Sequence, residues 1–246
     1  MTTVRDLAAQ TEEHEGATSG PDEHFSGYTV MGLPFPNGHY LAFRRFPANP
    51  FGRPYSSVWH RDPDGAWTFF VDVPADESCP RYFDAGIRAS IRTPIDVSWP
   101  GPSRLRVEIP GTLTWDLVFA STAATSALSA AARATPARLM ERGTVLALMG
   151  RMAGAMLRTG RMRMAGRTPN GQWFRAEPTR LWSVAASTAV LDGTDLGTPG
   201  PLPEQAHLAD VWLPQRGVLM LGGGVFEPFD PSRHRSARLA LAGAQT

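Results

Sequence analysis

The chain has 246 residues, 42% of them hydrophobic, with 24 basic and 23 acidic side chains and a net charge of +1. That length suits one large all-β domain or two small ones, and so even a charge balance argues against a protein built to hold nucleic acid. All 24 basic residues are arginine, which excludes Schiff-base chemistry and lysine general bases; the single cysteine, Cys79, excludes an intramolecular disulfide and a cysteine-rich metal site.

Residues 1–24 are polar and carry Glu12, Glu13, His14, Glu15, Asp22, Glu23 and His24. They read as a flexible arm with room for one helical turn. Met1 to Gln10 holds no apolar core of signal-peptide length. No run approaches the ~20 apolar residues that a membrane span needs. The expectation is a soluble, cytoplasmic protein without a membrane span.

The same short phrase then occurs three times: Pro36-Asn37-Gly38-His39-Tyr40, Pro63-Asp64-Gly65-Ala66-Trp67 and Pro169-Asn170-Gly171-Gln172-Trp173. Proline fixes φ for the first turn position, and Asn, Asp and Gly tolerate positive φ. The aromatic residue two places on opens a returning strand. The phrase predicts β-turns in antiparallel hairpins.

Strand patterns run from Tyr28 to Ala120. Gly38–Phe46 is one, Tyr55–His60 with Ala66–Val73 is the clearest hairpin, and Ile87–Arg92 alternates. In Arg104–Ile109, Leu105, Val107 and Ile109 face one way and Arg104, Arg106 and Glu108 the other. Leu113–Ala120 follows. Residues 121–159 break the rhythm with an Ala, Leu, Met and Arg composition that favours helix. Pro136 opens a helix over Ala137–Leu157 with Thr135 as its cap, and its methionines either line a flexible pocket or simply pack. Strands resume with Arg161–Gly166 and Trp173–Glu177 as a hairpin, then Leu181–Leu191, Val211–Leu213 and Val218–Val225. A turn at Pro228 leads to a short final element, Ala237–Leu241. The predicted fold is mainly β, an antiparallel barrel or sandwich with a helical segment near 121–159. It divides into an arm (1–24) and a β domain (25–246), with two related halves, 25–120 and 160–246.

Candidate chemistry is sparse. If Asp62–Gly65 form the hairpin loop, His60 lies opposite Trp67 and Val58 opposite Phe69. His60 then shares an aromatic face with Trp67 and Phe69 and can act as acid or base near neutral pH. The alternative is a histidine satisfied at the sheet edge, and a one-residue bulge would move it to the other face. Asp72 and Asp116 interrupt apolar strands. They either point into a cavity, where burial would favour their neutral forms, or face water. Tyr40, Arg44 and Trp59 are candidates for a cavity mouth. Gly222-Gly223-Gly224 lacks dinucleotide-loop spacing, the histidines are too scattered for zinc, and no redox cofactor is implied.

The hairpin from Val58-Trp59-His60 to Trp67-Thr68-Phe69-Phe70, the Leu105–Leu117 strands and the Gly166–Trp182 segment resemble the large lipocalin-like proteins, a group that includes carotenoid 1,2-hydratases (hydroxyneurosporene synthases). The resemblance implies a calycin-like β-barrel, often of two units, and carries no catalytic residue across one by one. From the residues themselves, the leading expectation is a binder of a small apolar molecule in a β-lined cavity. The second is a cofactor-independent hydratase, cyclase or isomerase acting on a polyene or polyketide-like substrate, using His60 with Asp72 or Asp116. The third is an interaction domain that forms a homodimer through the methionine-rich helix.

Overall fold

In the computed structural model, which describes residues 2–14, 16–18 and 20–235, the three repeated phrases make one and the same turn. In each, the glycine takes a positive φ, +96° at Gly38, +91° at Gly65 and +97° at Gly171. In each, the residue before the proline bonds twice. Phe35, Asp62 and Thr168 accept from the glycine N–H and donate to the carbonyl of the residue after it. This is a type I turn closed by a left-handed glycine, the three-residue hairpin loop with a bulge. In the second hairpin the loop is residues 63–65, one residue shorter than the expected 62–65, and the consequence for register is felt at His60.

Among the described residues the main sheet has 13 strands, ten of which form its continuous path: β1 (Glu23–Pro34), β2 (Tyr40–Asn49), β3 (Tyr55–Arg61), β4 (Trp67–Val71), β5 (Ala89–Arg92), β6 (Asp96–Gly101), β7 (Arg104–Ile109), β8 (Leu113–Ala120), β9 (Trp173–Leu191) and β10 (Val218–Phe226). Their order is β5-β4-β3-β2-β1-β10-β9-β8-β7-β6. The chain thus makes two meanders, β1–β5 and β6–β10, joined where the first strand pairs with the last. All neighbours in this order are antiparallel except β4 and β5. The expected division at the helical segment is therefore corrected. The halves meet between β5 and β6, and the helices are an insertion in the second meander, between β8 and β9.

The sheet curls into a half-barrel. Its inner face carries a continuous core. Leu41, Phe43, Val58 and Phe70 of the first meander share one core with Leu105, Trp115, Leu117 and Leu219 of the second. The opposite face of the first meander carries a separate aromatic core. There Tyr40, Trp59, Trp67 and Phe69 pack under Tyr82, Phe83, Leu202 and Leu213.

Helix α1 (Val4–Glu12) replaces the expected arm. Thr3 and Asp6 cap it reciprocally, Thr3 Oγ1 accepting from the Asp6 N–H and Asp6 Oδ2 from the Thr3 N–H. Val4 and Ala8 are buried in the inner core, with Leu7 against it. Glu12 receives Nε and Nη2 of Arg45 on β2 at 3.0 and 2.8 Å. Three apolar residues at i, i+3 and i+4 suffice for a docked helix, and an average over a polar segment hides them.

The predicted helical segment is present as α2 (Ala123–Ala134), a single turn at Ala137–Met140 and α3 (Gly143–Leu157). Thr122 caps α2, while Thr135 ends it instead of starting the next helix. The helices cover the outer side of β9 and β10 through Leu128, Leu157, Leu181 and Met220. No helix among the described residues is long and apolar enough to cross a membrane. Ala237–Leu241 lies outside the described residues.

Two strands escaped the sequence pattern. β1 is interrupted by Gly27 and Gly32 at two bulges, and β6 is an edge strand ending in Pro100-Gly101. β9 runs unbroken for 19 residues. It accommodates Pro178, which lacks a donor for the ladder, by a register shift between Pro178 and Arg180.

Candidate functional site

On the outer face, alternate positions of β1, β2, β3, β9 and β10 converge beneath the short helix Pro80–Phe83 and the strand Val211–Trp212. They enclose a hollow of about 130 Å³. Phe25, Phe46, Tyr55, Trp59, Phe174 and Phe226 form its walls. The floor is made by side chains that are missing. Ala176 pairs with Gly224 across β9 and β10, and both line the hollow. A Cβ on Gly224 would meet only Arg175 O at 3.5 Å and Phe226 Cε2 at 3.9 Å, so the space above it is open.

A second hollow of about 80 Å³ adjoins the first, sharing Met31, Arg163, Ala176 and Met220 with it. It runs under α2 and α3 and is lined by Met149, Met152, Met162 and Met164. Of the predicted stripe, Met149, Met152 and Ala153 thus face a pocket, while Met156 does not. Unbranched thioethers suit a wall that must adapt to its contents.

Among the described residues, one permanent charge at this site has no counter-charge. Arg44 is 9% exposed. Its Nη1 donates to the Val30 and Phe43 carbonyl oxygens at 2.7 and 3.0 Å, and Nη2 to the Met31 carbonyl at 3.3 Å. The guanidinium lies 4.4 Å over the Trp59 ring. Val30 and Met31 flank a bulge in β1, so Arg44 satisfies carbonyls that the ladder leaves free. Burial pushes its pKa down. Tyr55 and Cys79, whose hydroxyl and Sγ are 3.4 Å apart, are both held in their neutral forms by burial. The other guanidiniums on the wall have partners: Arg163 pairs with Asp210, and Arg175 with Glu177 at 2.9 Å.

Larger hollows of about 460 Å³ are present, but their chemistry is weaker. One lies between Val184–Ser187 and Thr198–Pro201, with Arg216 as its single charged group. Another lies under α1, where Arg45 and Glu12 already neutralise each other.

Of the residues singled out in the sequence, Arg44 and Trp59 line the aromatic hollow. Phe69 lies behind it, stacked on Trp59 with centroids 4.2 Å apart. Trp67 packs edge-on against Tyr40 and Phe69. Tyr40 is wholly buried, its hydroxyl donating to Pro214 O at 2.7 Å. None of these three lines the hollow.

His60 is on the other face. The bulged turn places Arg61 opposite Trp67, His60 opposite Thr68 and Trp59 opposite Phe69, one residue out of the expected register. Trp59 therefore takes the place assigned to His60. His60 instead pairs with His39, Nε2 to Nδ1 at 2.9 Å, with the rings stacked 5.2 Å apart. Asp72 is also off the site. Its Oδ1 accepts from the Ser56 N–H at 2.8 Å, and burial raises its pKa. Asp116 faces away from the packed side of β8 and is held by Arg106 at 2.7 Å and Arg104 at 3.8 Å. The three expected catalytic residues are thus not brought together, and none lines either hollow. Tyr55, Phe174, Phe226, Met31, Met220 and Gly224 were not anticipated. The triple glycine in an apolar strand was the available signal, since bare backbone leaves room beside it.

Among the described residues, no group of three or more His, Cys, Asp or Glu could hold a metal ion. Comparison with protein-family models, with curated proteins and with solved structures finds no match.

Proposed function

We propose that the protein binds a small, mainly apolar molecule in the aromatic hollow on the outer face of its sheet. The carrying observation is the hollow itself, lined by nine aromatic side chains and adjoined by a methionine-lined neighbour that shares four of its residues. A mainly apolar cavity of this order holds a ring-sized guest. The inner face carries the core shared by both meanders, and the hollow beside it under α1 already holds the Arg45–Glu12 pair, which favours the outer face as the place for a ligand. The likeness to lipocalin-like proteins supports a binder only through shared β architecture. The hydratase, cyclase or isomerase reading has less support, because no acid–base pair converges on the hollow. A homodimer is a separate proposal. It draws support from Leu148, Met152 and Met156 of α3, which are 58%, 48% and 41% exposed.

The small neutral fluorophore indole, whose size matches the hollow, tests the binding reading. The protein should bind it saturably. Gly224→Leu should weaken binding at least about tenfold while leaving the melting temperature within a few degrees, because the added side chain enters open space. Undiminished binding by the variant would place the site elsewhere.

A further inference from the structure

We infer that the ligand carries an anionic head, a carboxylate or a group of like geometry, and that Arg44 receives it. This rests on the aromatic hollow being the ligand site and names the chemistry of its occupant: an amphipathic organic acid with a ring-sized or short-chain apolar body.

Arg44 lines the hollow and is nine-tenths buried. Among the described residues no carboxylate pairs with it. Its acceptors are three main-chain carbonyl oxygens, which take both Nη1 hydrogens and one on Nη2. A guanidinium has five N–H donors and stays charged. Among the described residues, the Nε–H and the second Nη2–H have no acceptor. Tyr55 and Cys79 beside it are neutral, so nothing at that end of the hollow offsets the charge.

A hydrocarbon guest would strip water from this cation and leave it bare, which is unfavourable. An anion restores the missing counter-charge and accepts the remaining N–H groups in a charge-assisted contact. The three carbonyls and the Trp59 ring fix the guanidinium before any ligand arrives, so little ordering is lost on binding. Arg163 and Arg175 are less suited, because Asp210 and Glu177 already neutralise them.

The bulge carbonyls give Arg44 a structural task as well, so the test must separate the two. Phenylbutyrate and phenylbutanol share one apolar body and differ in charge. Isothermal titration of the intact protein at pH 7 should show phenylbutyrate binding roughly 10- to 100-fold tighter, the range of a charge-assisted hydrogen bond. Arg44→Met should erase that preference and leave the alcohol's affinity within about threefold. Arg106→Gln, on β7 and in the lining of neither hollow, should preserve it. If Arg44→Met fails to fold, Arg44→Lys takes its place: loss of the forked donor with the charge retained should cut the preference several-fold. Equal affinities in the wild type, or a preference that survives the Arg44 change, overturn the anionic head while leaving the binding site standing. No saturable binding of either compound, or of the neutral fluorophore, overturns the site and this inference together.

Discussion

His60 and Arg44 show how much turns on one residue of register. Both lie in strands legible from the sequence, and both are ionisable groups among apolar neighbours. The bulge behind Gly65 turns His60 toward His39 and Trp59 toward the hollow, and a strand pattern of period two gives no sign of that shift. Arg44 was legible as a cavity residue because Arg45 beside it must face the other way. Its missing counter-charge was not, since that depends on Glu12 reaching Arg45 from a helix 33 positions upstream. The histidine pair makes a pH prediction. Burial, then the neighbouring His39, pushes His60 from 6.5 down to about 4, while Asp62 and Asp192 oppose this more weakly. A depressed histidine pKa means that the unfolded chain binds more protons between pH 6.5 and 4. Stability is therefore constant above 6.5 and falls as the pH drops through that window, by up to about 1.4 kcal/mol per unit. Urea midpoints at pH 7 and 5 should fall further apart for the wild type than for His60→Gln. Equal differences would show that the pair is not held neutral.

Elements were legible where local chemistry fixes them. The three turns were readable because proline, Asn or Asp, and glycine each meet a separate requirement of one backbone path. Helix α2 was readable from composition. By contrast, β1 is defined by its neighbours: its bulges and glycines serve the close approach of β2 and β10, and Gly27 would drive a Cβ to 2.0 Å from Arg45 O. Helix α1 exists because it has a core to dock on, and no window of its own sequence shows that. The turn assignment predicts that Gly65→Val and Gly171→Val each destabilise by about 1–3 kcal/mol, since a β-branched residue is strained at positive φ. For a chain of this size that is a fall of roughly 2–12 °C in melting temperature. Gly101→Val is the control, because its backbone is extended and an added Cβ meets only Arg104 Cβ at 3.6 Å. Similar melting of all three variants would contradict the shared turn.

At the scale of the molecule, the sequence pointed to a mainly β barrel-like chain, and the curled sheet is that. It did not reveal that the first and last strands pair, because alternation specifies faces and leaves partners open. Nor did it reveal that one face closes into a packed core while the other keeps a hollow. That division arises from side-chain size: Leu, Phe and Trp fill the inside, while Gly224 and Ala176 leave a gap outside. The central claim is that this outer gap, and not the inside of the curl, receives the ligand. Methyl NMR of isotope-labelled methionines during titration with indole reads the location directly. Met31 and Met220 line both hollows, and their signals should shift saturably, while those of Met140 and Met156, which line neither, stay fixed. Shifts confined to Met156 and the exposed side of α3, or saturable binding that leaves Met31 and Met220 unmoved, would contradict it.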